Sequence, residues 1–187
     1  MNIKKATITL MTGLSLMTTG LGMTNIFTDT QNVQASEMVN NKLTIKYHIS
    51  AKTDYYRNAW KQAINILSNN PNLNFINTSK HKADFVFTTN NDNKYSTGYI
   101  TEPYSTTATI WASRYFAKRY NQNNNISNDN TLNYTATFMS TMILSNMDND
   151  NALYNSIENN IHGDKLYLSS TDKYNIFKAM KRFVNNI

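Results

Sequence analysis

Cysteine is absent from this 187-residue chain. Disulfide staples, a thiol nucleophile and thiolate metal ligands are excluded together, so the fold must be stable by packing alone. Histidine is nearly as scarce. His48, His81 and His162 stand far apart, so none shares a helix turn with another as a compact zinc motif requires. Glutamate occurs only at Glu37, Glu102 and Glu158, which leaves little for the paired carboxylates of glycoside hydrolysis. Serines are plentiful, but there is no G-x-S-x-G element, and three scattered histidines do not make a triad. Acidic residues are outnumbered, 12 against 18 basic ones, for a formal net charge of +6. The excess is spread over "KHK", "ASRYFAKRY" and "KAMKRF", which fits an anionic cell envelope. No basic, aromatic-interleaved element indicates nucleic-acid binding.

What is present begins with an export signal. Lys4 and Lys5 precede the apolar stretch "ATITLMTGLSLMTTGLGM", and the small residues Val33 and Ala35 precede Ser36, the pattern of a signal peptide spanning residues 1–35. Threonines and three glycines dilute the stretch as a membrane span, and no later segment is apolar enough to cross a bilayer. The expectation is a secreted, extracellular protein whose residues 36–187 form one domain, with no membrane span once the signal is removed.

Along that domain, "KLTIKYHIS" alternates Leu43, Ile45, Tyr47 and Ile49 with Thr44, Lys46 and His48, the period of a half-buried strand. Thr53 and Asp54 offer an N-cap to "YYRNAWKQAINIL", whose Tyr56, Ala59, Trp60, Ala63 and Leu67 share one helix face. Pro71 ends that helix. "NLNFIN", "KADFVFTT", "GYITEPYS" and "TTATIWASRY" then read as four strands, the third limited by Pro103 and so suited to a sheet edge. "NQNNNISNDN" reads as a solvated loop. "TLNYTATFMSTMILSNM" places Leu132, Ala136, Met139, Ile143 and Met147 at helical spacing, and Ser169 with Asp172 form an N-cap box for a last helix carrying Tyr174, Phe177, Met180 and Val184. The fold class is α+β, with a mixed twisted sheet of about five strands and three helices.

The order of these pieces resembles the matrixin branch of the metzincin zinc proteases over about residues 41 to 184. The resemblance rests on "YYRNAWKQAINIL", "LNFIN", "ADFVFTT", "STGYIT", "ATIWAS" and "LSSTDKYNIFKAM", taken in sequence. It implies a zinc site of the form H-E-x-x-H-x-x-G-x-x-H on the helix before the last one, where the spacing sets two histidines on one face and a general base beside them. In "TFMSTMILSNM" the matching positions are Thr137, Phe138, Thr141, Leu144 and Met147, and Glu158 stands where a methionine turn would follow. The zinc that the family uses therefore has no ligands here, and no catalytic residue and no cofactor are expected. The resemblance also implies a cleft between an edge strand and that helix, where an extended peptide adds as a strand. Tyr99, Ile100, Thr101 and Trp111 are the candidate groove residues.

The reading that follows is a secreted matrixin-like protein that has lost its zinc ligands and general base and binds a peptide or a cell-envelope component. Two alternatives stay open: an active zinc peptidase recruiting His48, His81 or His162, and a small exported envelope-interaction protein of unrelated function. "DNDNALYNSIE" starts like a calcium loop with Asp148 and Asp150, but Ala152, Leu153 and Asn159 occupy its fifth, sixth and twelfth positions. It reads as a polar turn. Asp84, at a strand start, is expected to make a structural hydrogen bond.

Overall fold

The computed structural model describes residues 38–39, 41–101, 105–126, 130–147, 153, 157, 159–162 and 164–187. Residues 1–35, read from the sequence as a signal peptide, lie outside them, as do Glu37, Glu102, Asp148, Asp150 and Glu158. The elements are β1 (Met38–Val39), β2 (Lys42–Ile49), α1 (Asp54–Ser68), β3 (Leu73–Asn77), β4 (Phe85–Asn90), β5 (Thr97–Thr101), β6 (Ala108–Ser113), α2 (Arg114–Asn123), α3 (Thr131–Ser145), β7 (Ile161–His162), β8 (Lys165–Leu166) and α4 (Ser170–Val184). The class is α+β. Among the described residues, no helix is long and apolar enough to cross a membrane.

The main sheet is mixed. β2 pairs in parallel with β3 over Leu43 to Tyr47 and with β4 over Tyr47 to Ile49. Its first residues also carry the two-residue β1, antiparallel, after a turn in which Asn41 takes φ 62°, a left-handed conformation that asparagine tolerates. β4 continues in parallel to β6, and β5 closes the order as an antiparallel strand. The side chains that alternate inward, Leu43 and Ile45 of β2, Phe85 and Phe87 of β4, and Ile110 and Ala112 of β6, are fully buried.

The helices cover that inner face. α1 starts at Thr53, whose hydroxyl accepts from the Tyr56 amide, and buries Ala59, Trp60, Ala63, Ile64 and Leu67. Trp60 stacks on Phe87 with ring centroids 5.0 Å apart, and its Nε1 donates to the Thr88 carbonyl at 3.2 Å. Such a ring pair adds about 0.5–1.5 kcal/mol beyond the area it buries. α4 is held by the expected box: Ser169 Oγ accepts from the Asp172 amide, and Asp172 Oδ2 accepts from the Ser169 amide and from Asn160 Nδ2.

One expectation needs correction. Among the described residues four helices are complete where three were expected, because the strand read through "TTATIWASRY" stops at Ser113 and "RYFAKRYNQN" is helical. Ser113 caps it, accepting from the Phe116 amide at 3.4 Å, and Phe116, Ala117 and Tyr120 fall on a helical face packed against the core. The aromatic content of the segment mimics strand composition, while its Arg, Ala, Lys and Gln residues favour helix. The first residues of "NQNNNISNDN" belong to this helix as well.

α3 carries the expected apolar stripe into the core, and over most of its length its other faces are covered as well. Every residue from Thr135 to Leu144 is buried, as in a helix enclosed on all sides. Its hydroxyls make this affordable by bonding within the protein: Ser140 Oγ donates to the Thr137 carbonyl and Thr141 Oγ1 to that of Phe138, both at 2.7 Å.

Candidate functional site

The candidate site is built on β5. Among the described residues this strand pairs with β6 and with no other strand, so one of its edges carries unpaired backbone groups. Its side chains divide between the two faces of the sheet. Thr97, Tyr99 and Thr101 stand opposite Ala112, Ile110 and Ala108, which are buried in the core. Gly98 and Ile100 stand opposite Trp111 and Thr109, on the outer face. The four candidate groove residues therefore do not line one wall: Tyr99 and Thr101 lie on the helix side, Ile100 and Trp111 on the other.

Gly98 is required by its neighbour. A Cβ there would come within 2.7 Å of Trp111 Cζ2 and 2.9 Å of Cε2, so the absence of a side chain lets the indole lie flat across β5. On the opposite face, Tyr99 meets Phe183 of α4 edge to face at 5.1 Å. Beside this pair is a cavity of about 250 Å³ lined by Tyr99, Thr101, Met147, Arg182 and Phe183. Asn146, the C-cap of α3, fixes the helix end to the strand by donating from Nδ2 to Thr97 Oγ1 at 2.8 Å. Thr97 Oγ1 in turn donates to the Trp111 carbonyl. Nothing in the sequence marks Phe183 and Arg182 for this site; their spacing in α4 signals only a helix that packs.

The positions matched to the zinc motif do different things. Thr137, wholly buried, donates from Oγ1 to the Asp164 carbonyl at 2.6 Å and so tethers the β7–β8 hairpin. Phe138 packs on Tyr120 of α2, with centroids 5.6 Å apart. Thr141 bonds back to its own helix, and Leu144 is fully buried. Of these positions, only Met147 borders the cavity beside β5. Two hydroxyls already committed to carbonyl oxygens, a phenyl ring and a thioether inside a closed core do not fit a zinc ion, whose ligands are imidazole, carboxylate or thiolate.

The histidines are not gathered elsewhere. His48 Nδ1 lies 3.0 Å from the Thr78 carbonyl, His81 sits in a short 3-10 turn over Lys80–Lys82 beside Ser79, and His162 of β7 packs on Tyr167. Among the described residues no three His, Cys, Asp or Glu side chains cluster as a metal site would need. Asp84 has a structural role: its Oδ2 accepts from the Lys46 amide at 2.7 Å. Desolvation raises its pKa above the ordinary carboxylate value, against the lowering effect of that bond and of the Lys46 charge.

Comparison with known protein families, with curated proteins and with solved structures finds no match to this chain.

Proposed function

We propose that this chain is a secreted, non-catalytic binding protein of matrixin-like architecture that takes an extended peptide along the free edge of β5. One observation carries the reading: an antiparallel edge strand, with Ile100 60% and Tyr99 46% exposed, flanked on its helix side by a cavity of side-chain size. A peptide joining that edge would gain backbone hydrogen bonds, and its alternate side chains would meet the two faces in turn. One set would enter the cavity at Tyr99 and Met147, and the other would lie beside Ile100 and Trp111. A helix enclosed beneath a mixed sheet is the arrangement that the resemblance calls for, and the filled chemistry of its Thr137 face is why binding is proposed in place of hydrolysis.

The outward backbone groups can be assigned by alternation. The Ser113 amide donates to the Ser96 carbonyl, so Gly98 and Ile100 are the next residues bonded to β6, and Tyr99 and Thr101 direct theirs to the free edge. Thr101→Pro removes one such donor without touching the β6 ladder. The test is retention on immobilised extended peptides from a random library, followed by titration of those selected. The expected result is binding that Thr101→Pro weakens by at least tenfold at unchanged melting temperature. Stoichiometric zinc with chelator-sensitive peptide cleavage would overturn the proposal, as would selected peptides that bind the variant equally well.

A further inference from the structure

Outside β5, polar and aromatic side chains of the described residues converge between the start of α1 and the length of α2. A cavity of about 350 Å³ is lined there by Tyr55, Tyr56, Lys118, Asn121 and Thr135. A second, of about 480 Å³, is lined by Tyr56, Asn91, Arg114, Tyr115 and Lys118. Sharing Tyr56 and Lys118, the two form one groove. We propose that it binds an acidic saccharide, a sugar unit bearing a phosphate or carboxylate group.

Three features point to that chemistry. The first is charge: Arg114 and Lys118 line the groove, and among the described residues no carboxylate does. Arg114 is aimed by one bond, Nε to the Asn90 carbonyl at 3.0 Å, which leaves the far nitrogens of its fork to an anion. The second is the aromatic wall. Tyr55 and Tyr56 meet edge to face at 5.1 Å, and Tyr115 is 44% exposed, so ring faces are available to the C–H surface of a sugar while the phenols exchange hydrogen bonds with its hydroxyls. Burial pushes the Tyr56 pKa up, Tyr55 adding to the effect and Arg114 opposing it.

The third feature is a polar floor with spare capacity. Tyr55 Oη and Thr135 Oγ1 are 2.8 Å apart, and Asn121 Nδ2 donates to Thr135 Oγ1 at 2.9 Å. The other end of that amide, Asn121 Oδ1, is buried without a donor. Native buried acceptors are nearly always paired, and a hydroxyl supplied from the groove is the kind of donor this one lacks. A strand-like peptide is disfavoured here because both walls are helical and offer no free sheet edge.

The inference is independent of peptide binding at β5. It is tested by titrating the chain with glucose 6-phosphate, glucuronate, glucose and inorganic phosphate, reading amide and tyrosine ring shifts by NMR. One or both acidic sugars should bind and perturb Tyr56, Tyr115 and Lys118; the two arms separate a phosphate from a carboxylate preference. Glucose and phosphate alone should bind at least tenfold more weakly. Lys118→Glu and Tyr115→Ala, both at exposed positions, should each weaken binding of the favoured sugar tenfold or more without moving the melting temperature. Absence of shifts with both acidic sugars would overturn the proposal. So would phosphate binding as tightly as the sugar acid, indifference to both substitutions, or tighter binding of a single-stranded oligonucleotide at the same residues.

Discussion

Thr137 offers a direct measure of whether the α3 face is closed. The residue is wholly buried, and its hydroxyl reaches the Asp164 carbonyl at 2.6 Å. Thr137→Val keeps the shape and removes the donor. Because Asp164 is only partly buried, water can replace some of the lost bond, and the cost should be about 1 kcal/mol. Thr137→His loses the same bond and forces a larger ring into a filled position, which typically costs a further 1–3 kcal/mol or so. The expected loss is thus roughly 2–4 kcal/mol, equivalent to a fall in melting temperature of about 4–16 °C for a domain of this size. Thermal and urea denaturation of both variants give the comparison, with zinc content measured in parallel on Thr137→His combined with Phe138→Glu and Thr141→His. A histidine variant that melts with the parent, or a triple variant that folds and holds one zinc per chain, would refute the claim of a closed face.

Gly98→Ala should cost about 1–3 kcal/mol, towards the lower end because Trp111 lies on the outer face and can tilt. Chemical denaturation would register the loss, and indole emission would shift as the ring leaves β5; an unchanged spectrum and stability would mean the contact is slack. Asp84→Asn keeps an acceptor for the Lys46 amide while removing a carboxyl whose folded-state pKa is raised by burial. A raised carboxyl pKa means that wild-type stability is greatest below the unfolded-state pKa and declines as pH rises through the folded one. Melting curves across acidic to neutral pH should therefore show the stability of the variant relative to the wild type increasing with pH, and a relative stability that falls with pH would reverse the assignment.

The sequence was most legible where one period ruled. The alternation in β2 and the spacing of Ala59, Trp60 and Ala63 in α1 each follow from one face turned to the core, and the Ser169–Asp172 box marks a helix start by its own chemistry. Legibility failed where two signals overlapped. Tyr115 and Phe116 continue the aromatic content of β6, yet the backbone turns helical once Ser113 caps it. In α3 the stripe from Ala136 to Ile143 is real, but the threonines between them are buried too, and only the hairpin at Asp164 explains what covers Thr137.

The site was partly legible for a related reason. A free sheet edge can be guessed from Pro103 and from the exposed character of "GYIT", but a groove between α1 and α2 arises from residues some sixty positions apart, which no local pattern encodes.

One consequence of the sheet order concerns how the molecule assembles. β2 meets β4 over three residues, Tyr47 to Ile49, although it is the strand through which β3 joins the remainder of the sheet. Before that overlap begins, the Asp84 carboxylate takes the Lys46 amide and acts as a side-chain extension of the ladder; beyond it, the Ser50 amide reaches the Phe87 carbonyl. Partners nearly forty residues apart must be found before these few bonds can form, and closing such loops slows folding. β2 pairs with β3 over five residues and with β4 over only three, so this narrow seam is where the two halves of the sheet are held by the shorter ladder.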